Sequence, residues 1–298
     1  MLRGLPEILL APSILGLSPA GTQLLGETLL KAGLAERLGI TLPVVEVPTL
    51  NHLYSRERDP ATHCLNVLAL QDFSATLRQA VTRCLDQQHF PLVLGGDCSI
   101  LLGIMSSLKK RGRYGLVFMD AHADFYEPEK STTGEEADMD LALVTGRGPE
   151  ELTDMEQLGP YVQDELVIHL GQRDQEETIR YGSQEIRDTA ITCISFNEIQ
   201  QRGIEDVTAG VLEQLNGTDA AGYWLHYDAD VLSDDINPAV DYRLPGGLSF
   251  AEAEHIISRL LPSGRIAGIS ITVFNPALDK DRHIGRDITD SLARAFRL

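Results

Sequence analysis

The 298 residues carry 25 basic and 44 acidic side chains, a formal net charge of −19, and 43% of them are apolar. The apolar share is ordinary for a chain with a packed core. The charge repels polyanions, so neither nucleic acid nor anionic membrane is an expected partner.

The opening stretch MLRGLPEILLAPSILGL is largely apolar, but Pro6, Glu7 and Pro12 interrupt it and no basic cluster precedes it. It reads as a first core strand rather than a targeting segment. Further strands are expected at 42–48, 90–96, 114–120, 165–171, 190–196, 222–228 and 265–274. Helical patterns run between them over 22–38, 66–88, 99–112, 197–215, 249–264 and 284–298. Nearly continuous Val, Ile and Leu in strands separated by helices predict a parallel sheet covered on both faces. With no Pro/Gly-rich linker, the units predict a single α/β domain across residues 1–298. The loop 125–138 is long for such a fold, which makes it a candidate for function. No segment is long and apolar enough to span a bilayer. Cys64, Cys84, Cys98 and Cys193 show no paired spacing, which suits reduced thiols and a cytoplasmic location.

In open parallel sheets, ligands bind beyond the carboxyl ends of the strands. Three polar clusters stand there: GGDCS (95–99), DAHAD (120–124) and HYDAD (226–230). Asp120, His122 and Asp124 recur at every second position, which in an extended chain aims them to one side. His226, Asp228 and Asp230 repeat the pattern. DAHAD and DAD supply four carboxylates and one imidazole, and neither motif contains a Lys or Arg. Desolvating each charge costs several kcal/mol, so four converging carboxylates call for about four positive charges. Two divalent cations would balance them and leave room for a bridging hydroxide. Oxygen ligands with one or two imidazoles favour Mn, with Zn, Co and Ni as alternatives. A lone D-x-H-x-D also fits a solvated turn and a lone D-x-D a helix cap; two such motifs at strand ends favour metal.

On these residues the chain resembles the ureohydrolase family, which includes arginase, agmatinase and formiminoglutamase. The family signatures GGDHS, DAHxD and SxDxD stand here, in order, as GGDCS, DAHAD and HYDAD; PGGLS (245–249) and GQRD (171–174) also match. The resemblance runs from about Gly21 to the C-terminus. It implies a three-layer α/β/α domain with an eight-stranded, mainly parallel sheet, assembled as a homo-oligomer (trimer or hexamer). It also implies two divalent metal ions, Mn before Zn or Ni, bridged by a hydroxide that attacks the central carbon of a guanidino or formimino group. The family ligands fall on Asp120, His122, Asp124, Asp228 and Asp230.

Four departures accompany the resemblance. Cys98 stands where the signature has histidine. A thiolate suits Zn or Fe better than Mn, and Cys98 either ligates the first metal, leaves it weakly held, or packs as a small inert residue. The family's H-G-x-P loop, with its proton-shuttling histidine, reads here Ala137-Asp138-Met139-Asp140. The acid that grips the guanidinium falls on Val273, or on Thr272 with a one-residue shift. The usual D-P after the third motif is Ser233-Asp234.

His226 and Asp124 are the catalytic candidates. His226 is the natural proton handler in place of the missing histidine, or else it is hydrogen-bonded to a ligand carboxylate. Asp174 and Glu176 lie where relatives hold the α-amino end of an amino acid, although Asp174 would also serve as a helix cap. Asp241 and Arg243 are further candidates for substrate binding. Arg243 would grip a substrate carboxylate bidentately, or lie on the surface or at an interface. The other six histidines sit in no cluster. The sequence therefore reads as a metal-dependent hydrolase of a non-peptide C–N bond in a small guanidino or amidino compound. The alternative is a catalytically degenerate member with a structural or regulatory role.

Overall fold

Runs of Val, Ile and Leu with no polar face can be satisfied only where both sides of a strand are covered, and the strands obey this. The computed structural model describes residues 2–50 and 52–297. Its strands are β1 (Pro6–Ala11), β2 (Val45–Glu46), β3 (Phe90–Gly95), β4 (Tyr114–Met119), β5 (Val167–Leu170), β6 (Thr192–Ile194), β7 (Gly222–Asp228) and β8 (Ile266–Thr272). They form one all-parallel sheet in the order β2-β1-β3-β8-β7-β4-β5-β6. Every residue of β3, β7 and β8 is buried. Helices flank the sheet. Val67–Asp86 packs on Ile100–Arg111, and Phe250–Leu260 packs against both Ile204–Asn216 and Ile284–Ala295.

The strands lie where the apolar runs predict, trimmed by a few residues. The largest difference is the run 42–48, of which only Val45–Glu46 pairs, at the sheet edge. Pro43 and Pro48 flank it, and proline has no N–H for a ladder. Two of the helical patterns are each broken by a glycine at positive φ, Gly33 (φ 89°) and Gly203 (φ 85°). Side chains resist that backbone conformation, so the helix stops and restarts there. Among the described residues no helix is long and apolar enough to cross a membrane.

The strand order brings four carboxyl ends together. β3 and β4 follow each other in sequence, yet β8 and β7 are inserted between them. Asp228 ends β7 opposite Thr272 of β8, and Met119 of β4 lies opposite Tyr227. Beyond β3 the backbone is pinned from both sides. Asp97 N–H donates to Ser13 O (3.2 Å), and Val273 N–H donates to Gly96 O (2.8 Å). A Cβ on Gly96 would meet Ser13 O at 1.8 Å, so no side chain fits between these loops. Gly96→Ala is expected to lower stability by about 2–3 kcal/mol, the usual scale of overpacking. Urea denaturation at matched metal content checks this.

Candidate metal centre

The three polar clusters share one local device. Asp97 Oδ1 accepts from Ser99 N–H (2.9 Å), Asp120 Oδ1 from His122 N–H (2.7 Å), and Asp228 Oδ1 from Asp230 N–H (2.7 Å). Each aspartate thus turns the chain as it leaves its strand, with one oxygen tied to the backbone two residues on. The convergence of DAHAD therefore comes from a turn rather than from the pleat: residues 121–124 are not in a strand, and Asp124 has φ 45°.

The second oxygen decides what each aspartate is for. At Asp97 it accepts from Ser13 Oγ and Gly16 N–H (both 3.2 Å), so that carboxylate is fully occupied in fastening loops. At Asp120, Oδ2 is buried with no partner. Asp228 Oδ2 accepts from Cys98 Sγ (2.8 Å) and Thr272 Oγ1 (3.2 Å). The His122 ring lies with Nδ1 2.9 Å from Asp230 Oδ2 and 3.6 Å from Asp120 Oδ1. Ligand atoms of Cys98, Asp120, His226 and Asp228 all lie within 4.8 Å of one another; so do those of Asp120, His122 and Asp124, and of Cys98, Asp124 and Asp140. The structure thus brings all six candidate ligands to one place, with His226 and Asp140 beside them.

The electrostatics follow from this crowding. Burial, then the charge of Asp230, raises Asp120 to about 7. Burial and neighbouring carboxylates push Asp124, Asp140 and Asp228 well above the usual carboxylate range. Burial alone would lower His122, but Asp230 and Asp120 outweigh it and hold the imidazole well above its ordinary value. Asp230 is likewise kept low despite burial by its attraction to His122. Burial, with Asp228 beside it, also raises Cys98. A set of buried acids with open oxygens, a thiol and an imidazole fits divalent cations, which would remove the repulsion that now keeps protons on them.

His226 is buried, stacks on Phe118 (centroids 5.0 Å apart, 9° between planes) and does not line the cavity above the centre. Burial lowers it to about 3, so the ring is neutral. Its partners set the tautomer. Trp224 Nε1–H donates to Ser270 Oγ (2.9 Å), leaving the serine hydroxyl to donate to His226 Nδ1 (2.9 Å). Nε2 then carries the proton toward Thr272 Oγ1 (3.3 Å), whose hydroxyl donates to Asp228. The ring thus reaches the Asp228 carboxylate through the Thr272 hydroxyl rather than directly.

A cavity of about 280 Å³ opens on the centre, with Cys98, His122, Asp124, Asp228 and Asp230 on its floor. The 125–138 loop contributes Tyr126, Thr132, Thr133, Glu135, Ala137 and Asp138 to the walls. Asp138 closes that loop on itself, accepting from Ser131 Oγ (2.7 Å) and Thr133 Oγ1 (2.8 Å). Asp174 also lines the cavity; its side chain makes no cap bond to the helix Gln175–Tyr181 and instead accepts from Ala123 N–H (3.0 Å). Glu176 is exposed and outside the cavity, while Glu177, three residues after Asp174, lines it. Asp241 lines it too, held by Asn275 Nδ2 (3.1 and 3.0 Å). Arg243 stands at the rim with its guanidinium on Asp234 Oδ2 (3.1 Å).

Three of the departures from the family pattern meet in space. Cys98 and Val273 pack with Val240 as a small apolar cluster, with Ala137 against it. Four contributors carry weaker sequence signals. Asp140 is an acid where the H-G-x-P pattern has proline. Glu177 follows Asp174 at helical spacing. Arg173, within GQRD, donates to Asp230 O (2.7 Å) and Leu232 O (3.1 Å), clamping the turn after β7. His169 gives no signal beyond its place in β5, yet Nε2 lies 2.7 Å from His122 O.

The chain matches the arginase family over residues 42–296. It is 30% identical to an arginase of Staphylococcus aureus (strain COL), in an alignment covering 97% of this chain and 96% of that one. Its fold superposes on the native arginase of Bacillus caldovelox with a TM-score of 0.89, at 25% identity over 99% of both chains. The formimidoylglutamase of Bacillus subtilis superposes with a TM-score of 0.71 at 18% identity, covering 100% of this chain and 87% of that one, a likeness of fold.

The protonation pattern would make any uptake of metal here pH-dependent. Asp120, raised to about 7, and the imidazolium of His122 must both release protons to ligate. Asp124 and Asp228, also pushed upward, would lose protons too, so affinity is expected to fall already as pH drops toward 7 and to keep falling below it, by about tenfold per pH unit for each proton displaced. Calorimetric titration of apoprotein with Mn²⁺ in buffers of different ionisation enthalpy counts those protons.

Proposed function

Since this chain belongs to the arginase family, we propose that it is a metal-dependent hydrolase that cuts a non-peptide C–N bond in a small cationic guanidino or amidino compound. The observation that carries the reading is the meeting of His122, Asp124, Asp228 and Asp230 at the floor of one cavity, with Asp120 buried against them and its Oδ2 left without a partner. These residues, with Cys98, would hold two divalent cations, Mn first and Zn, Co or Ni next. When bound, such ions supply Lewis acidity and make a water nucleophilic near neutral pH.

The remaining work falls to the chain. Acidic groups dominate the cavity walls, and Arg243, the one arginine among the described residues that line it, is already paired with Asp234. That favours a cation over a carboxylate as the group recognised. Asp241, fixed by Asn275, offers an anion in the same cavity as Asp174 and Glu177 without belonging to the candidate metal ligands. Val273 and Ala137 form an apolar stretch of the wall beside Cys98. A substrate with an apolar substituent next to its amidine, such as an N-alkylated guanidine, matches that wall better than free arginine. The relay through Ser270, His226 and Thr272 makes His226 a positioning residue for Asp228.

Protein loaded in turn with Mn²⁺, Zn²⁺ and Co²⁺ is expected to release urea, amine or formamide from one member of a panel of guanidino, N-alkylguanidino and formimino compounds. Activity should vanish with chelator and return with metal. Asp241→Asn should raise KM at least about tenfold with a smaller change in kcat, the mark of lost binding. A protein that takes up no metal and turns over nothing on the panel is instead the degenerate member.

A further inference from the structure

Asp140 opens the short helix Asp140–Val144 and is fully buried. Neither of its carboxyl oxygens has a hydrogen-bond partner. One of them lies within 4.8 Å of both Cys98 Sγ and an Asp124 oxygen, which are equally close to each other. Asp140 is not among the residues lining the cavity, so it sits beneath the Cys98 side of the centre, out of reach of substrate. Other buried acids nearby behave differently. Asp97 has partners for both oxygens. Glu136 has two orphaned oxygens, but it joins no group of possible ligands among the described residues.

A carboxylate stripped of water costs several kcal/mol unless a cation or donors take the place of hydration. At Asp140 only the Leu141 N–H comes near, without a hydrogen bond of ordinary geometry, whereas the Cys98 pole supplies a second and third ligand atom within 4.8 Å. We propose that Asp140 is a metal ligand, forming with Cys98 and Asp124 one pole of the two-ion centre. This rests on the two-metal reading above. The loop that lost its histidine thereby supplies an anion to the pole whose own histidine became a cysteine. Oxygen and sulfur together, with no imidazole among the three, favour an ion that accepts thiolate, such as Zn²⁺ or Co²⁺, over Mn²⁺.

Co²⁺ is the probe, because its visible spectrum reports sulfur ligation. Wild-type apoprotein is expected to take two equivalents and show a sulfur-to-cobalt charge-transfer band. Asp140→Asn should weaken one of the two ions by at least about 100-fold, the upper range for disturbing a ligand shell. That band should shrink with it, and the rise in Tm on adding cobalt should be smaller, while the metal-free variant melts no lower than metal-free wild type. Unchanged stoichiometry, affinity and spectrum in Asp140→Asn overturn the assignment. Should that variant fail to fold, anomalous diffraction from cobalt-loaded wild type decides. An Asp140 oxygen within about 2.2 Å of an ion supports ligation, and one beyond about 3 Å overturns it. Two bound ions without Asp140 sink this inference alone, while wild type that binds no cobalt sinks the two-metal reading as well.

Discussion

The rest of the structure answers to one imbalance: five aspartates, 0–6% exposed, crowd together with a single charged imidazole among them. Such a group is tolerable only with protons or cations to offset its repulsion. In the metal-free state it holds protons, which is why carboxyl groups here are pushed upward while His122 is held charged. Everything around the group works to keep it converged in spite of that repulsion.

The restraint is layered. Asp120 and Asp228 each fasten their own turn with one oxygen and turn the other toward the centre. Arg173 holds the carbonyls of the turn after β7, and its own N–H reaches Ala121 O (2.8 Å), tying the two turns together. Beneath them, the chain from Trp224 through Ser270, His226 and Thr272 anchors Asp228 to the middle of the sheet. These partners sit on β7 and β8, both fully buried, so the floor is tied into the interior of the sheet.

Much of this was legible in the sequence because it is local. Apolar runs locate strands, and an aspartate two residues before a free N–H can turn a chain wherever it stands. DAHAD and HYDAD could be read as neighbours since a parallel sheet offers only one edge where strand ends meet. What could not be read depends on tertiary placement. Asp140 looks like one more loop acid until its burial beside Cys98 is known, and Glu177 supplants Glu176 only because of how one helix is rotated. The extended alternation first suggested for residues 120–124 is replaced by turns, since the Asp120 carboxylate finds a backbone donor sooner than the strand can continue. Gly33 and Gly203 stop helices that amphipathic patterning alone would carry through.

The mouth of the cavity carries Glu135, Asp138, Asp174, Glu177 and Asp241 on a chain already at −19. Its field reaches past the contact distance of any single group, drawing in small cations from solution and turning back phosphates and dicarboxylates before they meet the floor. Added salt would screen that field at the rim more than on the buried floor. Discrimination by charge therefore begins at the mouth of the cavity, not at its floor.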